Sequence, residues 1–366
     1  MSVDSRALAW ATLAHKRLPS AAQVALLREF GNPDAVLAAP RARVACLTSQ
    51  AVADVVAAPL AADVLEPTAR WLDDPAHQVV AWDDSDYPAA LLELPGAPLA
   101  LFILGRRELL GRSALAIVGS RHATPQGLET AREFSRALAR EGLTIVSGLA
   151  LGIDAAAHEG ALDTDASTIA VVGTGLDRVY PARNRALAQR IAGRGLLVSE
   201  YLPGTPARKE HFPQRNRLIS GLARGVLVVE ATLSSGSLIT ARLAGDQGRE
   251  VFAIPGSIHS PFSKGCHKLI RDGAKLVETA QDVLDELRGT RSAPHEPASV
   301  KGARSHTRDG KLLHAMGYDP VTIDTLVART KAPAESITAE LVTLELAGSV
   351  CALPGGLWQR AAGSGA

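Results

Sequence analysis

Between residues 114 and 254 the chain repeats one pattern: a short apolar run, a turn, then a helical stretch. The apolar runs fall at 114–118, 143–147, 168–172, 196–199, 225–230 and 251–254. They lack the alternation of a half-exposed strand, so each reads as a strand buried on both faces, as in a parallel sheet. Between them, 129–141, 184–194 and 237–247 carry apolar residues at helical spacing. Strand and helix in alternation predict an α/β domain with a doubly wound parallel sheet.

The flanks show other patterns. Residues 1–75 read as short helices punctuated by Pro19, Pro33, Pro40, Pro59 and Pro67; the stretch 21–30 stops at Gly31, a good helix terminator. Residues 289–308, rich in Pro, Ala, Ser, Gly and Arg, read as a flexible basic linker. In the tail, helical patterns at 320–329 and 335–346 precede apolar segments 349–353 and 357–359, which bracket Pro354-Gly355-Gly356. Helix, helix, hairpin is the order of a winged helix. The expected division is a helical domain over 1–75, a sheet domain over 76–288, the linker over 289–308 and a winged-helix domain over 309–366.

Length agrees: 366 residues suit two or three domains at roughly 100–200 residues each. Hydrophobic residues at 46% and charged residues at 21% mark a globular chain, and with aromatics at only 4% the core must rest on Ala, Val, Leu and Ile. Cys46, Cys266 and Cys351 are far apart and form no CxxC pair, so neither a zinc site nor a disulfide framework is expected, and a reducing cytoplasm fits. Residues 1–10 carry Asp4 and Arg6 and no apolar leader, and no run approaches 18 apolar residues. No signal peptide and no membrane span are expected.

In a parallel α/β domain ligands sit beyond the C-terminal ends of the strands. The residues just past each apolar run are therefore the ones to examine. The first run leads into Gly119-Ser120-Arg121; the second ends at Ser147 and runs into Gly148-Leu149-Ala150, with Gly152 and Asp154 beyond. The third leads to Gly173-Thr174-Gly175 and then to Tyr180-Pro181 and Asn184; the fourth leads to Glu200 and a long loop with Lys209, Phe212, Arg215, Asn216 and Arg217. The fifth reaches Glu230 and Ser234-Ser235-Gly236-Ser237, and the sixth Pro255-Gly256. Glycines let a backbone approach a ligand, and exposed N–H groups at helix starts suit phosphate oxygens. One such loop is an ordinary tight turn; the set along one edge points to a phosphate-bearing ligand.

Three familiar patterns are absent. Gly173-Thr174-Gly175 is succeeded by Leu176-Asp177-Arg178, which breaks the dinucleotide fingerprint; Ser263-Lys264-Gly265 places Lys before Gly, unlike a P-loop; and no HExxH occurs. Charge sharpens the picture. Over residues 205–275 there are eleven basic and five acidic side chains, a net of +6 inside a chain of net +1. Such a field favours a polyanion, the alternative being a solvated face with scattered Arg. Phe212 among Lys209, Arg215 and Arg217 offers a base-stacking face beside phosphate-binding cations, or else packs into the core. Asp154 and His158, four apart, are either an acid/base pair or a helix-capping Asp with a buried His.

These motifs together resemble the DNA-processing protein A (Smf) family. The resemblance rests on Ile117-Val118-Gly119-Ser120-Arg121, Ser147-Gly148-Leu149-Ala150 with Gly152-Ile153-Asp154, and Gly173-Thr174-Gly175-Leu176-Asp177 with Tyr180-Pro181. It continues through Phe212-Pro213-Gln214-Arg215-Asn216-Arg217, Ser235-Gly236-Ser237-Leu238-Ile239-Thr240-Ala241, Ala253-Ile254-Pro255-Gly256 and Leu269-Ile270-Arg271-Asp272-Gly273-Ala274. It covers about residues 80–290, in order. It implies an extended Rossmann-like domain that binds single-stranded DNA, with an N-terminal helical SAM-like domain and a C-terminal winged helix. It also implies a cytoplasmic homodimer that acts in natural transformation, protects incoming single strands and loads the recombinase RecA, without being an enzyme and without cofactor or metal. Carried over, Arg121 clamps a backbone phosphate with Gly119 and Ser120 beside it. Lys209 and Phe212 add a second phosphate contact and a stacking face. Ser147, Gly148 and Asp154 shape the intervening loop. Arg215, Asn216 and Arg217 line the groove, one arginine instead holding the loop by a salt bridge, and Ser235-Gly236-Ser237 offers N–H groups at a helix start.

Two segments depart from the family pattern. Leu18-Pro19 is succeeded by Ser20-Ala21-Ala22 where a Gly-containing hairpin is frequent, and residues 1–100 carry seven basic and twelve acidic side chains. That region reads as a protein contact rather than a DNA contact. The presumed recognition helix of the tail holds Glu335, Glu340 and Glu345 and no cation, so a strong duplex binder is not expected. Two competing readings remain. One is a nucleoside-monophosphate or phospho-sugar hydrolase of the lysine-decarboxylase-like Rossmann group. There a carboxylate should come after the loop corresponding to Ser234–Ser237, but Leu238-Ile239-Thr240 stands in its place. The other is a protein-interaction scaffold.

Overall fold

The computed structural model describes residues 5–289, 309–317 and 319–360. Strands β1 (His77–Ala81), β2 (Ala100–Gly105), β3 (Ala114–Val118), β4 (Thr144–Ser147), β5 (Thr168–Val171), β6 (Leu196–Ser199), β7 (Gly225–Val228), β8 (Glu250–Ala253) and β9 (Lys275–Leu276) form one sheet. Its order is β1-β2-β6-β5-β4-β3-β7-β8-β9. From β3 to β9 every pairing is parallel; β2 runs antiparallel to β6, and β1 antiparallel to β2. The chain winds outward from β3 through β4, β5 and β6, then returns past β3 to β7 and β8. That reversal puts the topological switch point between β3 and β7, where ligands of such sheets bind.

Every residue of β3 to β7 is buried, as runs without alternation require. Side chains alternate between two covered faces. On β3, Leu115 and Ile117 face one apolar layer while Ala114, Ala116 and Val118 face the other. The first layer is built from α8 (Pro125–Arg140), α9 (Ile153–Ala161) and α14 (Ala280–Arg288); the second from α11 (His211–Gly221), α12 (Ser237–Asp246) and α13 (Lys264–Arg271). Helix α10 (Arg185–Arg194) packs Leu187, Ala188 and Ile191 into a third cluster.

That third cluster also takes in the N-terminal helices α1 (Ser5–His15), α2 (Ser20–Phe30), α3 (Pro33–Leu37), α4 (Arg41–Leu47), α5 (Gln50–Ala57) and α6 (Ala62–Leu72). Trp10, Leu26 and Trp71 pack in one cluster with Phe102, Ala170 and Leu197 of the sheet. Helix α2 ends where Gly31 adopts φ 79°, the stop expected of that glycine. The one-turn helix α7 (Ala89–Leu92) lies between β1 and β2, which pair antiparallel.

Helix α11 occupies a stretch whose sequence reads as loop. Pro213 is its third residue, within the first turn, where a missing N–H breaks no intrahelical bond.

The tail forms α15 (Asp309–Met316), β10 (Val321–Thr322), α16 (Ile323–Thr330), α17 (Ala334–Leu346), β11 (Val350–Leu353) and β12 (Leu357–Arg360). Its small antiparallel sheet runs β10-β12-β11 over Leu312, Met316, Leu326, Ile337, Leu341 and Val350. Gly355 and Gly356, at φ 87° and 73°, make the wing turn. The basic linker read from the sequence lies, apart from Gly289, outside the described residues.

Candidate functional site

An open groove of about 630 Å³ lies beyond the C-terminal ends of β3 and β7, at the switch point. Its floor is the joint between those strands. The Ser120 N–H donates to the Glu230 carbonyl at 2.7 Å. The Glu230 carboxylate accepts from the Thr124 N–H (2.9 Å) and hydroxyl (2.6 Å), and Thr124 in turn caps α8 by accepting from the Gly127 N–H. Burial pushes the Glu230 carboxyl up, and the Thr124 bonds oppose it.

The loop from β4 to α9 is held from behind. Arg215 is 4% exposed, and its guanidinium donates to the Gly148 carbonyl at 2.8 Å and to the Val171 carbonyl. Asp154 accepts from the Gly148 N–H at 3.1 Å, and Asn184 donates to the Leu149 and Ala150 carbonyls at 2.9 and 3.1 Å. A Cβ at position 148 would lie 2.8 Å from Asp154 Oδ2 and 2.9 Å from the Arg215 nitrogens, so any larger residue there has to push back the side chains that hold the loop. His158 is fully buried. Its Nε2 accepts from the Leu149 N–H, which leaves the proton on Nδ1 for Thr168 Oγ1 at 2.7 Å. Burial pushes that imidazole down to about 3 and disfavours charge on both Asp154, pushed up, and Arg215, pushed down to about 10. The positive and negative groups restrain each other's shifts.

Ser147, Gly148, Asp154 and Arg215 therefore work inward; the Ser147 hydroxyl donates to the Ile117 carbonyl. Asp154 and His158 do not form an acid/base pair open to a substrate: both are bound to the backbone of one loop. Arg217 lies apart from the groove. It pairs with Glu200 beside a separate cavity that also includes Arg17 and Tyr201. Helix α11 explains the split: Phe212, Arg215 and Asn216 share a helical face at i, i+3 and i+4, and Arg217 turns away.

Of the sequence candidates, Gly119, Ser120, Arg121, Asp154, Lys209, Phe212, Arg215, Asn216, Ser235, Gly236 and Ser237 line the groove, Asp154 and Arg215 as buried members of its wall, whereas Ser147, Gly148 and Arg217 do not. The Arg121 guanidinium carbon sits 6.0 Å from the Phe212 ring centroid. Across the groove the Ser235 and Ser237 hydroxyls share a hydrogen bond of 2.7 Å, and the start of α12 has no side-chain cap. Its partial positive charge faces the same space. Arg121, Arg183, Arg185, Arg208 and Lys209 are exposed on this edge of the sheet, and none pairs with a carboxylate among the described residues. The structure adds Tyr180, which lines the groove and meets Phe212 at a centroid distance of 5.3 Å. It also adds Asn184 as a loop support. Both lie after the third strand in sequence, but neither type at that place signals its role. No cluster of three metal-ligating side chains occurs among the described residues.

A doubly wound, mostly parallel sheet with a cationic, serine-lined groove at its switch point and a winged helix in the tail defines a Rossmann-like α/β protein. Residues 78–288 match the family described as DNA recombination-mediator protein A, and residues 296–356 match the DprA winged helix domain. The chain belongs to this DprA/Smf family. It is 41% identical to Protein Smf of Escherichia coli over 298 residues, 80% of each chain. It is 52% identical to DNA processing protein DprA of Streptococcus pneumoniae over 204 residues, 56% of this chain and 72% of that one. The X-ray structure of the S. pneumoniae protein superposes with TM-score 0.66 at 41% identity, covering 75% of this chain and 95% of that one. A DprA structure from Helicobacter pylori, described for its single-stranded DNA binding mode, superposes with TM-score 0.53 at 32% identity, covering 59% and 97%.

Proposed function

We propose that this chain binds single-stranded DNA in the switch-point groove and acts as a recombination mediator. In this reading it protects incoming single strands during natural transformation and loads RecA onto them, as a cytoplasmic homodimer and not as an enzyme. The observation that carries the DNA reading is the groove's composition. Cations without carboxylate partners among the described residues stand beside aromatic rings and an uncapped helix start, which suits phosphates alternating with planar bases. The H. pylori relative described as binding single-stranded DNA supports it. No helix among the described residues is long and apolar enough to cross a membrane.

The hydrolase alternative gains nothing from the geometry. Asp154, the carboxylate that lines the groove, is occupied by backbone N–H groups, and Glu230 is held by Thr124. The deciding experiment is fluorescence anisotropy of labelled single-stranded and duplex oligonucleotides across a salt series. A strong single-strand preference with steep salt dependence is expected. Weak or equal binding, or release of free base from nucleoside monophosphates, overturns the reading. Recombinase loading is checked by RecA filament formation on strands pre-coated with a single-strand-binding protein, which this protein should accelerate.

A further inference from the structure

The separate cavity on the far side of α11, of about 240 Å³, holds a cation that the groove does not use. Arg17 stands in the turn between α1 and α2 at φ 49°, a left-handed conformation that glycine adopts freely and other residues rarely. An arginine at a glycine-like position points to work for its side chain. Its guanidinium carbon lies 5.9 Å from the Tyr201 ring centroid. Stacking on a ring uses the flat face of a guanidinium and leaves its in-plane N–H groups free. Arg17 is exposed and pairs with no carboxylate among the described residues. Glu200 is the one carboxylate that lines the cavity, and it is committed to Arg217. The charge of Arg17 therefore stands uncompensated there, although residues 1–100 are acidic in balance. Tyr201 is 5% exposed and its ring stacks on His211 at 4.1 Å, so it has no open face for a base. The cavity adjoins the groove along α11: Pro213 lines the groove, Gln214 lines the cavity, and both are exposed. Burial chiefly pushes the His211 imidazole down, and the charges of Arg17 and of Arg208, next to groove-lining Lys209, push the same way. The cations of the groove's rim and Arg17 thus flank one ring.

We propose that the cavity lined by Arg17 is a second phosphate subsite, reached by a single strand that leaves the switch-point groove across the first turn of α11. The ligand is a backbone phosphate of that strand, whatever its sequence, and the contact comes from the N-terminal helices rather than from the sheet domain. Arg217 and Glu200 form the neutral wall of the subsite. This inference rests on the single-strand reading above and adds a contact outside the groove.

The test is anisotropy with oligodeoxythymidines of two lengths, about four and about sixteen nucleotides, the range of single-strand site sizes. The short probe occupies the groove alone; the long one also reaches Arg17. The proteins are the full-length wild type, Arg17→Gly and Arg17→Lys, with thermal midpoints recorded for each. Arg17→Gly should unfold at or above the wild-type midpoint, because glycine takes φ 49° without strain. It should weaken binding of the long probe by roughly 2- to 10-fold and flatten its salt slope by about 0.7 units. Its affinity for the short probe should match that of the wild type. Arg17→Lys, which keeps the charge, should retain the wild-type slope. If Arg17→Gly binds the long probe as tightly as wild type, the subsite is overturned and the cavity returns to a protein contact, while the single-strand reading stands. Equal loss on both probes also overturns it, because Arg17 then acts through the groove. A wild type that binds neither probe overturns both readings.

Discussion

Arg121 and Arg215 both line the groove, the first exposed and the second buried against backbone carbonyls, and replacing each should separate ligand contact from loop support. Arg215→Met removes the donors to the Gly148 and Val171 carbonyls and the positive charge that faces buried Asp154. Losing one partner of a buried charged arrangement costs about 3–5 kcal/mol. For a sheet domain of this size that is a fall in thermal midpoint of about 6–20 °C. Arg121 is exposed and pairs with no carboxylate among the described residues, so Arg121→Ala should move stability by less than about 0.5 kcal/mol. The assay is urea unfolding monitored by circular dichroism, with single-strand affinity measured under conditions where each variant is fully folded. Adding Asp154→Asn to Arg215→Met should recover part of the loss, because it removes the orphaned carboxylate. The reasoning fails if Arg215→Met unfolds at the wild-type midpoint yet loses single-strand affinity. Arg215 would then reach the ligand itself.

Three further outcomes are expected. Arg121→Ala should weaken single-strand binding and flatten the dependence of log K on log salt by about 0.7 units, as read from anisotropy at four salt concentrations. His158 is pushed down to about 3 in the folded chain, so the unfolded chain binds its proton first and stability falls as pH drops below the unfolded value of about 6.5. The loss should reach about 2 kcal/mol by pH 5; His15 and His211, also pushed down chiefly by burial, add to the same slope, so the difference between wild type and His158→Gln isolates the term. A chain ending at residue 289 should keep wild-type single-strand affinity, because α17 carries Glu335, Glu340 and Glu345 and no cation; a large loss would assign the tail to the DNA path.

How far the sequence can be read depends on what burial does to each element. The strands β3 to β8 match apolar runs to within one or two residues because β3 to β7 are buried throughout and the polar residues of the set stand at strand ends. Strand β1 begins His77-Gln78, half-buried at that end, so its run is too short to stand out. Helix α9 is invisible to periodicity for the opposite reason: Ile153, Asp154, Ala156, Ala157, His158, Gly160 and Ala161 are all buried, so no polar face remains. Helix α11 is obscured by Pro213 and by its charge. That is why its two arginines look equivalent in sequence, whereas helical spacing separates them. The groove's location is legible from the Gly- and Ser-rich strand ends. Which side chains face it is not, because Ser147, Asp154 and Arg215 are polar residues engaged with carbonyls and N–H groups of other segments.

The third apolar cluster, which joins Trp10, Leu26 and Trp71 to Phe102, Ala170 and Leu197, bears on how the molecule is put together. The helices of the first 72 residues do the work that crossover helices do elsewhere in a doubly wound sheet: they roof one side of β1, β2, β6 and β5. A chain begun at residue 76 would leave that side bare and sticky, inviting self-association or capture by chaperones. The tail carries its own apolar core, built from residues of α15, α16, α17 and their short strands alone. The amino-terminal half-shell is instead part of the sheet's own core, so its removal reaches the strands themselves.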